Sequence, residues 1–280
     1  MIIHVLGTAQ DGGYPHAGCQ NLCCSSVWNS PELHRLPSSI AAIDQDKKKF
    51  YLFDVTPNIK EQLYRLEDYN CELAGIFITH AHIGHYLGLM DLGLEIMNTK
   101  KIPVYIMPRM RNFILNNQPM IQLVKNNNIE LIELQNNQNV LFDNLSVIPF
   151  EVPHRNELSE TVGFRLLLSD QSIIFLPDID DWNSWKVNLE EFVVDNDILF
   201  LDGTFYDKNE IKLRDVSKIP HPEIIDTMDR LSALSKLDRK RVHFIHLNHT
   251  NDALRKNTIA YKNIIKEGFS IASENQKFKF

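Results

Sequence analysis

The sequence predicts an α/β fold of two sheets packed face to face with helices outside, and three observations carry that prediction. Short β-type runs fall into two groups, one in each half of the 280-residue chain. Stretches with helical spacing follow each group. Several of the apolar runs end abruptly in His or Asp, and strand ends of that kind are where α/β folds gather active sites.

In chain order, residues 2–6, 39–44 and 49–54 are β-type runs bounded by Gly, Pro or charged turns. Residues 57–69 have helical spacing (Ile59, Leu63, Leu66), and 74–79 is a short apolar strand. A helix is expected over 84–97. Further strands fit 103–107, 147–152, 161–168 and 172–176, and a strand-like run at 129–134 interrupts an Asn/Gln-rich stretch over 126–139. Helix fits 182–193, strand 197–202, helix 222–235, strand 242–245 and helix 252–266, with 270–272 as a last edge strand. No repeat or long linker divides the chain, so one domain over 1–280 is expected, with a Cys-rich loop at about 10–30.

A chain of this size buries about three quarters of its unfolded surface and needs no disulfide staples. Apolar residues at 44% and charged residues at 23% are ordinary for a soluble protein. The formal charge of −7 argues against nucleic-acid binding, which needs a basic footprint. No apolar run reaches the ~20 residues of a membrane span, and the N-terminus lacks the basic flank of a signal peptide. A cytoplasmic protein is expected. Of its four cysteines, Cys71 precedes a buried-strand pattern and reads as a small core residue. Cys19, Cys23 and Cys24 fall within six positions, which in a reducing compartment reads as metal thiolate rather than disulfide.

The stretch from Ile76 to Leu89 carries the most chemistry. An apolar, β-branched run ends in His80, His82 and His85, three imidazoles within six residues, followed by a small-residue helix start. Imidazoles at i, i+2 and i+5 across a strand-to-helix turn can converge on one point, as metal ligands must, and neutral imidazole is the commonest metal-binding side chain. Similar endings recur at Asp54, His154, Asp178 and His246. Asp54 or Asp178 taken singly reads equally well as a turn-former or helix cap. Turn chemistry does not explain the whole set.

That ordered set resembles the metallo-β-lactamase-fold hydrolase superfamily, whose pattern is a strand-end Asp, then His-x-His-x-Asp-His, then a distant His, a distant Asp and a last His. This chain offers Asp54, His80-Ala-His82-Ile-Gly84-His85, His154, Asp178 and His246 in that order. The resemblance spans nearly the whole chain. It implies a four-layer αββα sandwich, with His80, His82 and His154 holding a first metal, His85 and His246 a second, and Asp178 bridging them. The family's motif Asp is Gly84 here, which leaves one or two ions open. Asp180 stands two residues after Asp178 and offers either a compensating carboxylate or a helix cap before Trp182.

The N-terminal run from Leu6 to Cys19, with Cys23 and Cys24, is similar to two branches of that superfamily. These are the pyrroloquinoline quinone biosynthesis B proteins and the cyclic-phosphate phosphodiesterases of phosphonate breakdown. In the latter, clustered cysteines and a late His hold a structural zinc; the matching His here is His249. Three thiolates and an imidazole make a closed tetrahedral site that supports folding rather than catalysis. The spacing differs from that branch's Cys-x-Cys-x-x-Cys, and the alternative reading of Cys24 is a buried small apolar residue. Segments 177–182 and 201–206 are similar to the quinone-biosynthesis proteins. His221 falls where the phosphodiesterase branch carries a non-ligand His near the scissile phosphate, and it reads alternatively as a surface His between two prolines. Arg155 could pair with an anionic substrate; His4, His16, His34 and His243 read as structural or surface residues.

What the resemblance implies is a metal-dependent hydrolase acting on a cyclic or small phosphodiester, with Asp178 and His221 as the catalytic pair. Asp54 is expected to support the ligand histidines from outside the coordination sphere. Structural zinc, with Zn, Mn or Fe at the active site, and a small anionic substrate are expected; a homodimer is one of the oligomeric states left open. A second reading is an iron- and oxygen-dependent oxidoreductase acting on an amino acid or peptide in cofactor biosynthesis, which one metal would serve. A third is a non-catalytic member that keeps zinc for stability, and Gly84 is the one departure in its favour.

Overall fold

In the computed structural model the described residues are 1–210 and 220–280. Strands β1 (Ile2–Gly7), β2 (Ser39–Asp44), β3 (Lys49–Phe53), β4 (Glu72–Phe77), β5 (Ile102–Ile106) and β6 (Ile129–Glu133) come from the first half. The second half supplies β7 (Val140–Leu141), β8 (Ser146–Glu151), β9 (Val162–Leu168), β10 (Gln171–Leu176), β11 (Ile198–Asp202), β12 (Val242–Ile245), β13 (Ser270–Ile271) and β14 (Lys277–Lys279). One sheet runs β14-β1-β2-β3-β4-β5-β6 and the other β13-β12-β11-β10-β9-β8-β7. Each is a mixed sheet: β1 to β3 pair antiparallel and β3 to β6 parallel, and β8 to β10 pair antiparallel and β10 to β13 parallel. The last strand, β14, returns to cover the β1 edge.

Alternation along the strands assigns the layers. Phe53, Phe77, Phe164 and Phe175 point into the space between the sheets, where Phe53 stacks on Phe77 at 5.0 Å and meets Phe164 edge-on at 5.6 Å. Their neighbours Ile76 and Ile78 face outward, onto helical residues Ile59, Leu89, Met110 and Ile114. On the other sheet Ile174, Leu176, Leu199 and Leu201 face out onto Leu189, Phe192, Ile224 and Ile264. Two sheets with helices on both outer faces make the four-layer αββα sandwich. Among the described residues no helix is long and apolar enough to cross a membrane.

Several helices are shorter than their periodicity suggests. The expected helix over 84–97 is one α-turn, Ile83–Tyr86, followed by 3₁₀ structure over Leu87–Leu92. Val55 takes its backbone bonds: Val55 N–H donates to His85 O at 2.9 Å, and Gly88 N–H donates to Val55 O at 3.1 Å. A Cβ at Gly88 would lie 2.2 Å from Thr56 O, so only glycine lets the segments approach this closely. Over 182–193 only Leu189–Val194 is helical. Asp181 Oδ1 there accepts from the N–H groups of Asn183 and Ser184, an Asx turn that competes with helix. Residues 222–235 and 252–266 are likewise helical only in part, at Ile224–Arg230 and Ile259–Lys266, with short 3₁₀ turns beside them. Helices Pro108–Asn116 and Met120–Lys125, and strands β7 and β14, lie outside the expected elements.

His4 and His243 are buried in the sandwich. Burial, with Lys277 beside His4 and Lys240 beside His243, lowers both to about 4. The unfolded chain therefore binds protons below pH ~6.5 that the folded chain refuses until about pH 4. Stability is expected to fall as pH drops through that window, by on the order of 2–3 kcal/mol per histidine. Urea midpoints at pH 7 and 4.5 check this, and a His243→Gln variant should lose less than wild type.

Candidate functional site

The strand ends meet at one edge of the sandwich. Asp54 directly follows β3, the three clustered histidines follow β4, His154 follows β8, Asp178 follows β10 and His246 follows β12. Asp54 and His246 both adopt left-handed backbone (φ 61° and 64°), an uncommon conformation for non-glycine residues that clusters at functional sites.

Two sets of ligand-type atoms converge there. In the first, His80 Nε2 and His154 Nε2 lie 2.8 and 3.2 Å from His82 Nδ1. Nitrogens sharing one tetrahedral ion at 2.0–2.1 Å stand about 3.3 Å apart, so this trio is close to the size of such a site. In the second, His85 Nε2 and His246 Nε2 stand 3.0 and 3.4 Å from Asp178 Oδ2. Asp178 also reaches the first set, with Oδ2 3.7 Å from His80 Nε2 and Oδ1 3.8 Å from His154 Nε2. It therefore lies between the two sets, where a bridging carboxylate belongs.

The outer nitrogens of His80, His85, His154 and His246 are engaged elsewhere, which fixes ring orientation and turns the inner nitrogens towards the shared centre. His85 Nδ1 donates to Asp54 Oδ2 at 2.6 Å. Asp54 also accepts from Thr79 N–H and Oγ1–H at 2.8 and 3.0 Å, so Thr79 Oγ1 is left to accept from His80 Nδ1 at 2.9 Å. His154 Nδ1 donates to Asp180 Oδ1 at 2.9 Å. Thr204 Oγ1–H donates to Asp202 Oδ1 at 2.7 Å and accepts from His246 Nδ1 at 3.0 Å. Asp54 stands outside the ligand sets, as expected. Asp180 orients His154 rather than replacing the missing motif carboxylate, and it caps no helix, since none begins at Trp182.

The charge states follow from burial and neighbours. Burial lowers His80, His82 (to about 4) and His154, so all three are neutral at pH 7. Burial would also lower His85, but the Asp54, Asp11 and Asp178 carboxylates outweigh it and hold its pKa well above the usual value. Burial would raise Asp178, yet His246, His85 and His154 around it hold it well below the carboxylate range. Even so, His85 Nε2, His246 Nε2, Asp178 Oδ2 and Asp11 Oδ1 are buried atoms without a hydrogen-bond partner. Unpaired buried polar atoms are costly, and a shared cation would satisfy this arrangement of ligand-type atoms.

His221 also reaches the site. Its Nδ1 donates to Asp202 Oδ2 at 2.7 Å, and its ring centre is 5.5 Å from that of His154. Burial opposes its protonation, but Asp202 prevails and raises its pKa. Its Nε2 is buried without a partner. Arg155 lies close enough for its charge to lower both His82 and His221. Two site residues escape the motif reading. Asp202 ends Ile198-Leu-Phe-Leu-Asp202, the same strand-end signal as Asp54 and Asp178; Asp11 sits in a Gly-rich turn with no such signal.

A second cluster joins Cys19, Cys23, Cys24 and His249. Cys23 and Cys24 sit on a one-turn helix, Leu22–Ser25, which brings the adjacent thiols together. Cys23 Sγ is 3.7 Å from Cys19 Sγ, 3.9 Å from Cys24 Sγ and 3.7 Å from His249 Nδ1, and Cys24 Sγ is 3.4 Å from that nitrogen. Tetrahedral zinc with bonds of 2.3 Å to sulfur places sulfurs about 3.8 Å apart and sulfur and nitrogen about 3.5 Å apart. The fit is close. Burial and the neighbouring thiols push Cys24 up to about 12, so a cation at the centre is what would hold all three sulfurs as thiolates. Cys71, by contrast, packs against the outer core of the first sheet.

The model of the Beta-lactamase superfamily domain matches residues 50–247. Coenzyme PQQ synthesis protein B of Acinetobacter baumannii (strain ACICU) is 22% identical over 315 residues, covering 100% of both chains. Zn(2+)-bound PqqB from Methylobacterium extorquens is similar in structure, with TM-score 0.83 and 18% identity over 100% of both chains. A diphosphatase from the PhnP family gives TM-score 0.67 and 23% identity, covering 100% of this chain and 96% of that one.

Proposed function

This chain belongs to the β-lactamase superfamily, and from that premise we propose that it is a metal-dependent hydrolase of a cyclic or small phosphodiester. The observation that carries the reading is the pair of adjoining ligand sets, with Asp178 between them and three of their inward atoms, with Asp11 Oδ1 beside them, buried and unpaired. His80, His82 and His154 would hold one ion, and His85, His246 and Asp178 would take part in holding another. Divalent ions held there would supply Lewis acidity, lowering the pKa of a water from ~15.7 towards ~7 and polarising a phosphoryl oxygen.

The chain's own groups do the rest. Asp178 accepts a hydrogen bond from the attacking water and orients it towards phosphorus. Arg155 offsets the charge of the incoming phosphate. His221, whose pKa Asp202 raises against the effect of burial, in its protonated form donates a proton from Nε2 to the leaving oxygen. The water gives up one proton through its hydrogen bond to Asp178 and on to solvent, its oxygen bonds to phosphorus, the ester P–O bond breaks, and the leaving oxygen departs with the proton from His221. The PhnP-family diphosphatase is consistent with chemistry at phosphorus on this fold.

A second reading is favoured by the full-length match to coenzyme PQQ synthesis protein B: iron-dependent oxygen chemistry on an amino acid or peptide, using the three-histidine set alone. The two separate in one experiment. Protein loaded with zinc or manganese is assayed with bis(p-nitrophenyl) phosphate under nitrogen, and protein loaded with Fe(II) is assayed for oxygen uptake with a tyrosine-containing peptide. Nitrophenolate release without oxygen is the expected result. No release from this or other diesters, together with peptide-dependent oxygen uptake, would overturn the hydrolase reading.

A further inference from the structure

Gly84 stands where the superfamily pattern carries an aspartate, yet the space beside it is filled. A Cβ built on Gly84 would lie 2.3 Å from Asp11 Oδ1, 2.7 Å from Asp11 Cγ and 2.6 Å from Asp11 Cα. Asp11 belongs to the loop after β1, so its carboxylate enters from a different part of the chain and occupies the place a side chain at position 84 would take. Its Oδ1 stands 3.2 Å from His85 Nε2 and 3.6 Å from His246 Nε2. We infer that Asp11 supplies the carboxylate ligand that residue 84 cannot, completing a second metal position with His85, His246 and Asp178.

Three features beyond proximity support this. Asp11 Oδ1 and the two Nε2 atoms it faces are buried and make no hydrogen bond, so they are not accounted for as a simple polar contact. Both rings spend their other nitrogen on fixed partners, Asp54 and Thr204, and so aim the Nε2 atoms at Asp11 and Asp178. The loop is also tied to the strand end that carries His246. Gln10 N–H donates to Leu247 O and Leu247 N–H donates to Thr8 O, both at 2.9 Å. Ala9 pairs with Leu247 in a parallel bridge. A carboxylate mounted this way is pre-positioned rather than recruited.

The inference rests on the metal-binding reading of the site but not on the reaction catalysed. Its test is metal binding by wild type, Asp11→Asn, Asp11→Ala and Gly84→Ala. Elemental analysis of gel-filtered protein is combined with chelator competition, and zinc retained at the cysteine cluster marks a folded N-terminal loop. Wild type should hold two equivalents beyond that zinc. Asp11→Ala, and the nearly isosteric Asp11→Asn, should keep the first and bind the second at least ~100-fold more weakly, beyond the ~10–100-fold typical of losing an outer partner. Gly84→Ala removes no ligand, but its methyl group would press on Asp11 Cα and should weaken the same equivalent. Wild-type affinity for both equivalents in the two Asp11 variants would overturn the inference. So would a wild type that holds one equivalent beyond the cysteine-site zinc. A wild type that holds none would instead remove the metal reading of the whole site.

Discussion

Replacing His82 by alanine is expected to empty the His80–His82–His154 position of its ion and to abolish turnover while the chain stays folded. His82 is half-buried at the start of a single helical turn and belongs to none of the apolar clusters. Its loss therefore creates no core cavity and should change stability by less than ~1 kcal/mol. The chemical effect is far larger. A water whose pKa stays near ~15.7 instead of ~7 is ionised about 10⁸-fold less at neutral pH, which takes hydrolysis below any ordinary assay. Metal content, thermal unfolding and nitrophenolate release measured on the same preparation check it. Wild-type metal content and turnover in His82→Ala would mean that the histidine cluster is not the site of chemistry.

The second large effect concerns the cysteine cluster. Among the described residues the apolar cluster around Cys24 has only Ala9, Tyr14 and Val27 as its other buried members, with Leu254 and the other two thiols packed beside them. That core is too small to order a loop of some twenty residues against its chain entropy, so a bound ion is the expected fastener. Cys24→Ser should lose zinc and at least ~3 kcal/mol, a fall of at least roughly 5 °C in Tm for a chain of this size. Wild type and variant should melt at the same temperature once both are treated with chelator. His249 is three residues from His246, and the same loop carries Asp11, so the variant should also bind its active-site ions more weakly. A Cys24→Ser protein that melts with wild type and retains its zinc would remove the structural role.

Much of this site is legible along the chain because each half builds parallel strands that end at one edge, and residues at those ends stand out against apolar runs. Asp54, His80, His82, His85, His154, Asp178 and His246 all carry that signal. Asp202 carries it too, but its neighbours Gly203 and Thr204 equally suit a turn. Asp11 is not legible in this way. It lies in Gln10-Asp-Gly-Gly13, where an aspartate reads as turn chemistry, and its approach to Gly84 depends on how the loop docks onto Leu247. Helix lengths fail for a related reason. Over 84–97 and 182–193 the apolar spacing is real, but Val55 in one case and the Asp181 carboxylate in the other take backbone groups that a continuous helix needs. These are long-range or side-chain competitions that periodicity does not register. The helix Pro108–Asn116 does carry Pro at its start and apolar residues at 110, 113 and 114, but the Asn-rich residues that follow blur its end.

The measurement that bears most directly on this account is the metal content of untagged, gel-filtered wild-type chain, determined by plasma mass spectrometry. Close to three equivalents per chain are expected, one zinc at Cys19, Cys23, Cys24 and His249 and two ions at the strand-end site. Zinc at the cysteine cluster alone, with nothing bound at the histidines even after incubation with Zn, Mn or Fe(II), would contradict it.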